Sequence, residues 1–262
     1  MRYGVCFGIE YPERVTIAKK AGFDYIEGGF CTLSRGSDEV FEAFKKALEE
    51  NNMKCEAANG FFPRDLGLLG EAYDEEKVKE YIENGMKRGA QIGLKKISFG
   101  SSRARAVPEN MSYADAFCQL GKVLREVIAP ICEKYGVTIV TEPLRKAECN
   151  IINTVKEGVM LSVLAGKDSI SSLADIYHMV EEGDTNDDVR QLKGSIKHGH
   201  ISYPLQKGEL RRSFPMNTEE YDYQGFVDAL AFAGCETCSV EAQTEDFEGD
   251  TMKAGEVLKA LK

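Results

Sequence analysis

At 262 residues the chain is long enough for one large domain or two small ones, and its formal net charge is −10. Together with a pI near 5.0, that charge argues against a nucleic-acid binder or a polybasic membrane-surface protein, since both need Lys and Arg to meet phosphates. Composition is ordinary for a globular protein, 43% hydrophobic and 29% charged.

Met1 to Glu10 offers no apolar core long enough for a signal peptide, and no run approaches the roughly 20 apolar residues that span a bilayer. Eight scattered cysteines in such a chain point to reduced thiols in a cytoplasmic setting. Cys235-Glu236-Thr237-Cys238 spells a C-x-x-C, but no second pair completes a zinc site, and buried thiols are the plainer reading. Cys149 has no basic or histidine neighbour in sequence that would make it a nucleophile.

In chain order one grammar repeats: an amphipathic helix closes on a glycine and a β-rich stretch follows. Gly22, Gly93, Gly136 and Gly234 each play that part, glycine being the residue that takes the left-handed conformation without a Cβ clash. Eight strands are expected at about residues 3–7, 24–28, 54–58, 96–99, 137–142, 170–175, 195–200 and 236–241. Between the third and fourth lies a helix with Asp74 as N-cap and an inward stripe of Val78, Tyr81, Ile82, Gly85, Met86 and Gly89. A second helix starts near Ser112, and Pro130 should bend or end it. Asn217 with Glu220 reads as a capping box ahead of Phe226, and a last helix covers roughly 250–261. Helix feeding strand eight times, at about 33 residues per unit, fits an α/β fold of the (β/α)8 TIM-barrel kind in a single domain over 1–262. An open doubly wound sheet is the competitor, but Gly8-Ile9-Glu10 supplies no Gly-rich fingerprint after the first strand.

In a barrel the C-terminal ends of the strands face the active site. Here strands five to eight end in Glu142, Asp175, His198-Gly199-His200 and Glu241, all of metal-ligand type. Three carboxylates and an imidazole form an oxygen-rich set that suits Mn2+, Mg2+ or Co2+ better than a structural zinc. His198 and His200, two apart on a strand, point to the same side, so one can bind metal while the other supports it or meets substrate. Gly100-Ser101-Ser102-Arg103-Ala104-Arg105, after strand four, offers hydroxyls and guanidiniums to a polyol or a phosphate. Arg211 and Arg212 extend the same choice.

At these residues the sequence resembles the sugar phosphate isomerase/epimerase superfamily with the xylose isomerase-like TIM barrel, and within it the D-tagatose/D-psicose 3-epimerase group. The motifs are Asn59-Gly60-Phe61-Phe62-Pro63, Phe99-Gly100-Ser101, Glu142-Pro143-Leu144 with Glu148, Asn150 and Asn153, Asp175-Ile176-Tyr177-His178, His198-Gly199-His200 and Val240-Glu241. The resemblance implies one divalent ion, Mn2+ first and Co2+, Mg2+ or Zn2+ next, held by Glu142, Asp175, His200 and Glu241 with His198 behind them. It implies Glu142 and Glu241 as the catalytic pair, and Glu148, His178, Asn59 and an arginine as contacts to a sugar. Leu205-Gln206-Lys207 stands where the family carries that arginine, which leaves Arg211 as the candidate. The implied reaction is proton transfer beside a carbonyl through an enediolate, most simply ketose 3-epimerisation. A dehydratase of the inosose type, or a barrel that binds metal without turnover, are the alternatives. No nucleic-acid or membrane partner is implied, and a homo-oligomer is left open. The DNA-repair branch of this fold uses several metals and many histidines, whereas this chain has three.

Overall fold

In the computed structural model, which describes residues 1–206, 208 and 211–261, eight parallel strands close into one barrel in sequence order. They are β1 (Arg2–Cys6), β2 (Tyr25–Gly29), β3 (Cys55–Asn59), β4 (Lys96–Phe99), β5 (Thr138–Thr141), β6 (Ile170–Asp175), β7 (Ile196–Ile201) and β8 (Thr237–Val240). The ring closes where Arg2 pairs with Thr237 and Val5 with Val240. Each strand lies within a residue or two of its expected position.

The helices between the strands pack an apolar stripe onto the barrel and leave a charged face to water. Glu75–Ile92 shows how sequence enforces this. The Asp74 side chain accepts from the Lys77 N–H, two glutamates occupy the first turn, and Gly93 ends the helix at φ 88°. All six residues of the expected stripe are buried. Gly85 is required there, because a Cβ would come within 2.4 Å of the Phe30 ring.

Of the two outcomes expected at Pro130, a bend or an end, the helix does not end: Tyr113–Val123, capped by Ser112, widens into a π-turn over Leu124–Ile128 and continues as Ala129–Tyr135. The wider turn lets the chain pass a residue that has no N–H to donate. The Asn217–Glu220 box does not cap the next helix, which runs Tyr223–Phe232 from Asp222, whose side chain accepts from Gly225. Glu220 instead accepts from the Met216 N–H at 2.6 Å and the Tyr223 hydroxyl at 2.9 Å. The final helix, Phe247–Ala260, begins three residues before its expected start.

All eight cysteines are free, and Cys235 and Cys238 are buried. Among the described residues no helix is long and apolar enough to cross a membrane. The inside of the barrel is unusual. Such interiors are ordinarily filled by branched apolar chains, whereas here Glu27, Ser98, Thr141, His198, His200 and Ser239 are fully buried. This polar column runs beneath the mouth and supports what sits there.

Candidate metal centre

Four side chains converge at the C-terminal mouth. Glu142 directly follows β5, its N–H on the Phe99 carbonyl at 3.2 Å, and Glu241 directly follows β8, its N–H on the Ile201 carbonyl at 3.2 Å. Asp175 ends β6 and divides its oxygens. Oδ1 accepts from the Tyr177 N–H at 2.7 Å and starts the next helix, so Oδ2 is left for the mouth. His200 on β7 pairs in register with Asp175. Its Nδ1 lies 3.0 Å from Glu142 Oε1, 3.1 Å from Glu241 Oε2 and 3.6 Å from Asp175 Oδ2. All four donor atoms fall within 4.8 Å of one another. Gly100 makes this possible, because a Cβ there would stand 2.0 Å from Glu142 Oε2.

Behind the cluster stands a residue that the sequence reading passed over. Glu27 is 0% exposed and reaches inward where the β2–β3 register slips between Ile26 and Glu27. Its Oε1 lies 3.0 Å from His200 Nε2 and its Oε2 lies 2.8 Å from His198 Nε2. The Ser98 hydroxyl donates to Oε1 at 2.9 Å. A carboxylate on Nε2 fixes the proton there and aims Nδ1 at the three mouth carboxylates, so that once Nδ1 gives up its own proton the imidazole is oriented to bind a cation. His198 Nδ1 continues the column to Thr237 Oγ1 at 2.9 Å, and Lys96 Nζ donates to the same oxygen at 2.7 Å. One signal was present in the sequence: a glutamate inside a strand that should be apolar on both faces.

Electrostatics divide the carboxyls. Burial, then the Glu241 carboxylate, raise the Glu142 pKa against the pull of His200. Burial also opposes ionisation of Glu241, but Arg212 and His200 outweigh it and hold that carboxyl at about 2. Asp175 is held low against burial by Arg212 and His178. Glu27 is held well below the usual range against burial by His200 and His198. Burial lowers His198. His200, despite burial, is raised well above an ordinary histidine by Glu27 and Glu241.

The donor set fits a divalent ion. Three carboxylates share one imidazole nitrogen, an oxygen-rich set of the kind a hard divalent cation takes. A second grouping, Cys6, Glu27 and His200, is a poor rival. Burial pushes the Cys6 thiol well up, and Nε2 of His200 is already committed to Glu27.

Above the cluster opens a cavity of about 320 Å3. Asn59, Glu148 and His178, named from sequence, all line it with Glu142 and Glu241. Asn59 Nδ2 donates to Glu241 Oε1 at 2.8 Å, Glu148 accepts from Arg145 Nε at 2.7 Å, and His178 Nδ1 accepts from the Arg145 N–H at 3.2 Å. Arg211 is exposed and does not line the cavity; its backbone N–H donates to Gln243 at 3.2 Å. The arginine in the cavity is its neighbour Arg212. Nη1 lies 3.4 Å from Asp175 Oδ2, Nη2 meets Glu241 Oε2, and Nε donates to the Glu241 carbonyl at 3.1 Å. Of two adjacent loop residues only one lines the cavity, and spacing alone had no means of choosing between them. Lys207 lies outside the described residues. Arg105 is also no ligand contact: it is buried and donates to the Phe99 and Glu142 carbonyls at 2.7 and 2.6 Å, tying β4 to β5.

Comparison with known proteins agrees with the fold. The family described as xylose isomerase-like TIM barrel matches residues 15–262. An L-ribulose 3-epimerase of Mesorhizobium japonicum is 32% identical over 139 residues, 53% of this chain and 43% of that protein, so the matched stretch spans under half of that relative. A D-psicose 3-epimerase of Agrobacterium fabrum is 25% identical over 211 residues, 78% of this chain and 68% of its own. A solved L-ribulose 3-epimerase superposes with a TM-score of 0.79 at 20% identity, covering 98% of this chain and 93% of that one.

Proposed function

The chain belongs to the xylose isomerase-like TIM barrel family, and from that premise we propose that it is a divalent-metal-dependent sugar epimerase whose reaction is ketose 3-epimerisation. The observation that carries the reading is a pair of carboxylates, Glu142 and Glu241, that meet the same His200 nitrogen at 3.0 and 3.1 Å from β5 and β8. Their ionisation is pushed apart, Glu142 up and Glu241 down.

A proton beside a carbonyl is too weakly acidic to leave unaided near neutral pH. A divalent ion held by Glu142, Asp175, His200 and Glu241 supplies Lewis acidity toward the carbonyl oxygen. Mn2+ is the ion proposed, with Co2+, Mg2+ and Zn2+ as possible occupants of the same oxygen-rich set.

The remaining work falls to side chains. Glu241, kept ionised, takes the proton from one face of the sugar. Glu142 returns a proton to the other face from the oxygen it does not give to the ion, and removal and return from different faces is what inverts a centre. Asn59 holds Glu241 Oε1 in place. Arg212, already at the mouth carboxylates, offers its guanidinium to the sugar's oxygens, while Glu148 and His178 face the hydroxyls farther out.

The test is solvent-deuterium incorporation by NMR with Mn2+-loaded protein and a panel of ketoses, ketose phosphates and inososes in D2O. The expected result is one deuterium beside the carbonyl with inversion at C3, and a fall of about 10²-fold or more in Glu142→Gln and Glu241→Gln. Loss of water with a new double bond would replace the epimerase by a dehydratase. Metal binding without exchange on any member of the panel would leave a barrel without turnover.

A further inference from the structure

The mouth is built from two unlike halves. The metal-type donors come from β5 through β8, whereas the opposite wall comes from the loops after β3 and β4. That wall carries Arg64, Ser101, Ser102 and Arg103. Among the described residues the side chains of Arg64 and Arg103 make no hydrogen bond and no ion pair.

Both are exposed. They are not alone among the described residues, since Arg14 meets only aromatic rings and no side-chain hydrogen bond or ion pair holds Arg211. What distinguishes Arg64 and Arg103 is that they line this cavity. Other arginines hold carboxylates tightly: Arg35 on Asp65 at 2.8 Å, Arg88 on Asp38 at 2.6 Å, Arg145 on Glu148 at 2.7 Å and Arg190 on Asp187 at 2.7 Å. The one carboxylate farther out on the cavity wall, Glu148, is the one already held by Arg145. The cavity is therefore polarised along its length. Acid gathers at the floor, where a cation fits, and two unpaired guanidiniums stand across the mouth. The wall between is open: a Cβ on Gly60, at φ +58°, would find nothing within 4 Å.

We propose that Arg64 and Arg103 form an anion subsite, and that the substrate is a keto sugar bearing a phosphoryl or carboxylate group at the end away from its carbonyl. This rests on the epimerase reading above and names the substrate class for the same cavity. Guanidinium is the side chain whose planar fork matches both anions. A neutral hexose would leave both forks to water. With its carbonyl at the metal donors of β5–β8, a sugar laid across the mouth presents its far end to the β3 and β4 loops. The Ser102 hydroxyl lies on that wall as a further donor.

The experiment compares the Mn2+-loaded full chain with an Arg64→Ala/Arg103→Ala double variant. Calorimetry measures binding of D-fructose, D-fructose 6-phosphate, a keto-hexuronate and inorganic phosphate. Bound manganese and melting temperature are checked first, and both should match the parent because neither side chain is bonded to the fold. An anionic sugar is expected to bind about 10-fold or more tighter than D-fructose, the worth of one charge-assisted hydrogen bond, and the double variant to lose that ratio. Whether the phosphate or the uronate gains more identifies which anion is taken. Equal binding of neutral and anionic sugars, or a ratio untouched in the double variant, overturns the subsite. Deuterium exchange separates the two proposals. Exchange on D-fructose without any anionic preference removes the subsite and keeps the epimerase. Arginine-dependent binding of inorganic phosphate without exchange on any sugar keeps the subsite and removes the epimerase.

Discussion

The two halves of this barrel contribute to the same site by different means. From β5 to β8 the functional side chain stands at or just past the end of each strand: Glu142, Asp175, His200 and Glu241. From β1 to β4 no strand end supplies a member of that four-residue cluster, and the help arrives obliquely. Glu27 reaches up from within β2 to both histidines, Asn59 steadies Glu241, and Gly100 contributes by having no side chain. One half presents donors; the other aims them and leaves them room. A metal site is half made by groups that never touch the metal.

That division can be tested by breaking the supporting half alone. The largest effect is expected from Glu27→Gln. Gln cannot accept from both imidazoles with two charged oxygens, so His200 loses the partner that fixes its Nε2 proton. Affinity for Mn2+ should fall about 10–100-fold, the usual cost of losing such a partner, with the fold retained by circular dichroism. Unchanged affinity would reduce Glu27 to a buried structural acid.

Acidification comes next. His200 and Glu142 must each lose a proton to bind a cation. Both are held above their ordinary values, His200 against burial by Glu27 and Glu241, Glu142 by burial and nearby carboxylates. Metal affinity should then decline as pH drops, beginning above the ~6.5 of an ordinary histidine and steepening as Glu142 also protonates, by up to about tenfold per unit for each proton. In Glu142→Gln the affinity should be weaker and this slope flatter. Glu241 acts in the other direction on the metal-free fold. Its pKa is depressed, so its stabilisation is full above ~4.3 and is lost as pH falls toward about 2. Acid melting of the parent and Glu241→Gln checks that window. The smallest effect belongs to Asn59→Ala, which removes one hydrogen bond to a carboxylate worth about 1.5 kcal/mol, or roughly tenfold in turnover at unchanged metal content.

The same contrast explains what could be read in the sequence. The eight strands were legible because Gly22, Gly93, Gly136 and Gly234 punctuate the chain, and all four adopt positive φ. The donors were legible because residue type and strand-end position coincide in the second half. Glu27 was not, because its importance comes from a register slip and from side chains 171 and 173 residues away. Arg212 stood beside Arg211 in a loop with no periodicity to orient either, and only the folded loop separates them. Arg105 sat in a segment rich in ligand-like residues, yet it is spent on two backbone carbonyls.

The central claim is that Glu142, Asp175, His200 and Glu241 together hold one divalent cation. Titration of the demetallated protein with Mn2+, followed by electron paramagnetic resonance of the free ion, tests it most directly. The account predicts one equivalent bound per chain, with binding lost in Asp175→Asn and in His200→Ala while both variants stay folded. No binding by the parent, or the same affinity in either variant, would contradict it.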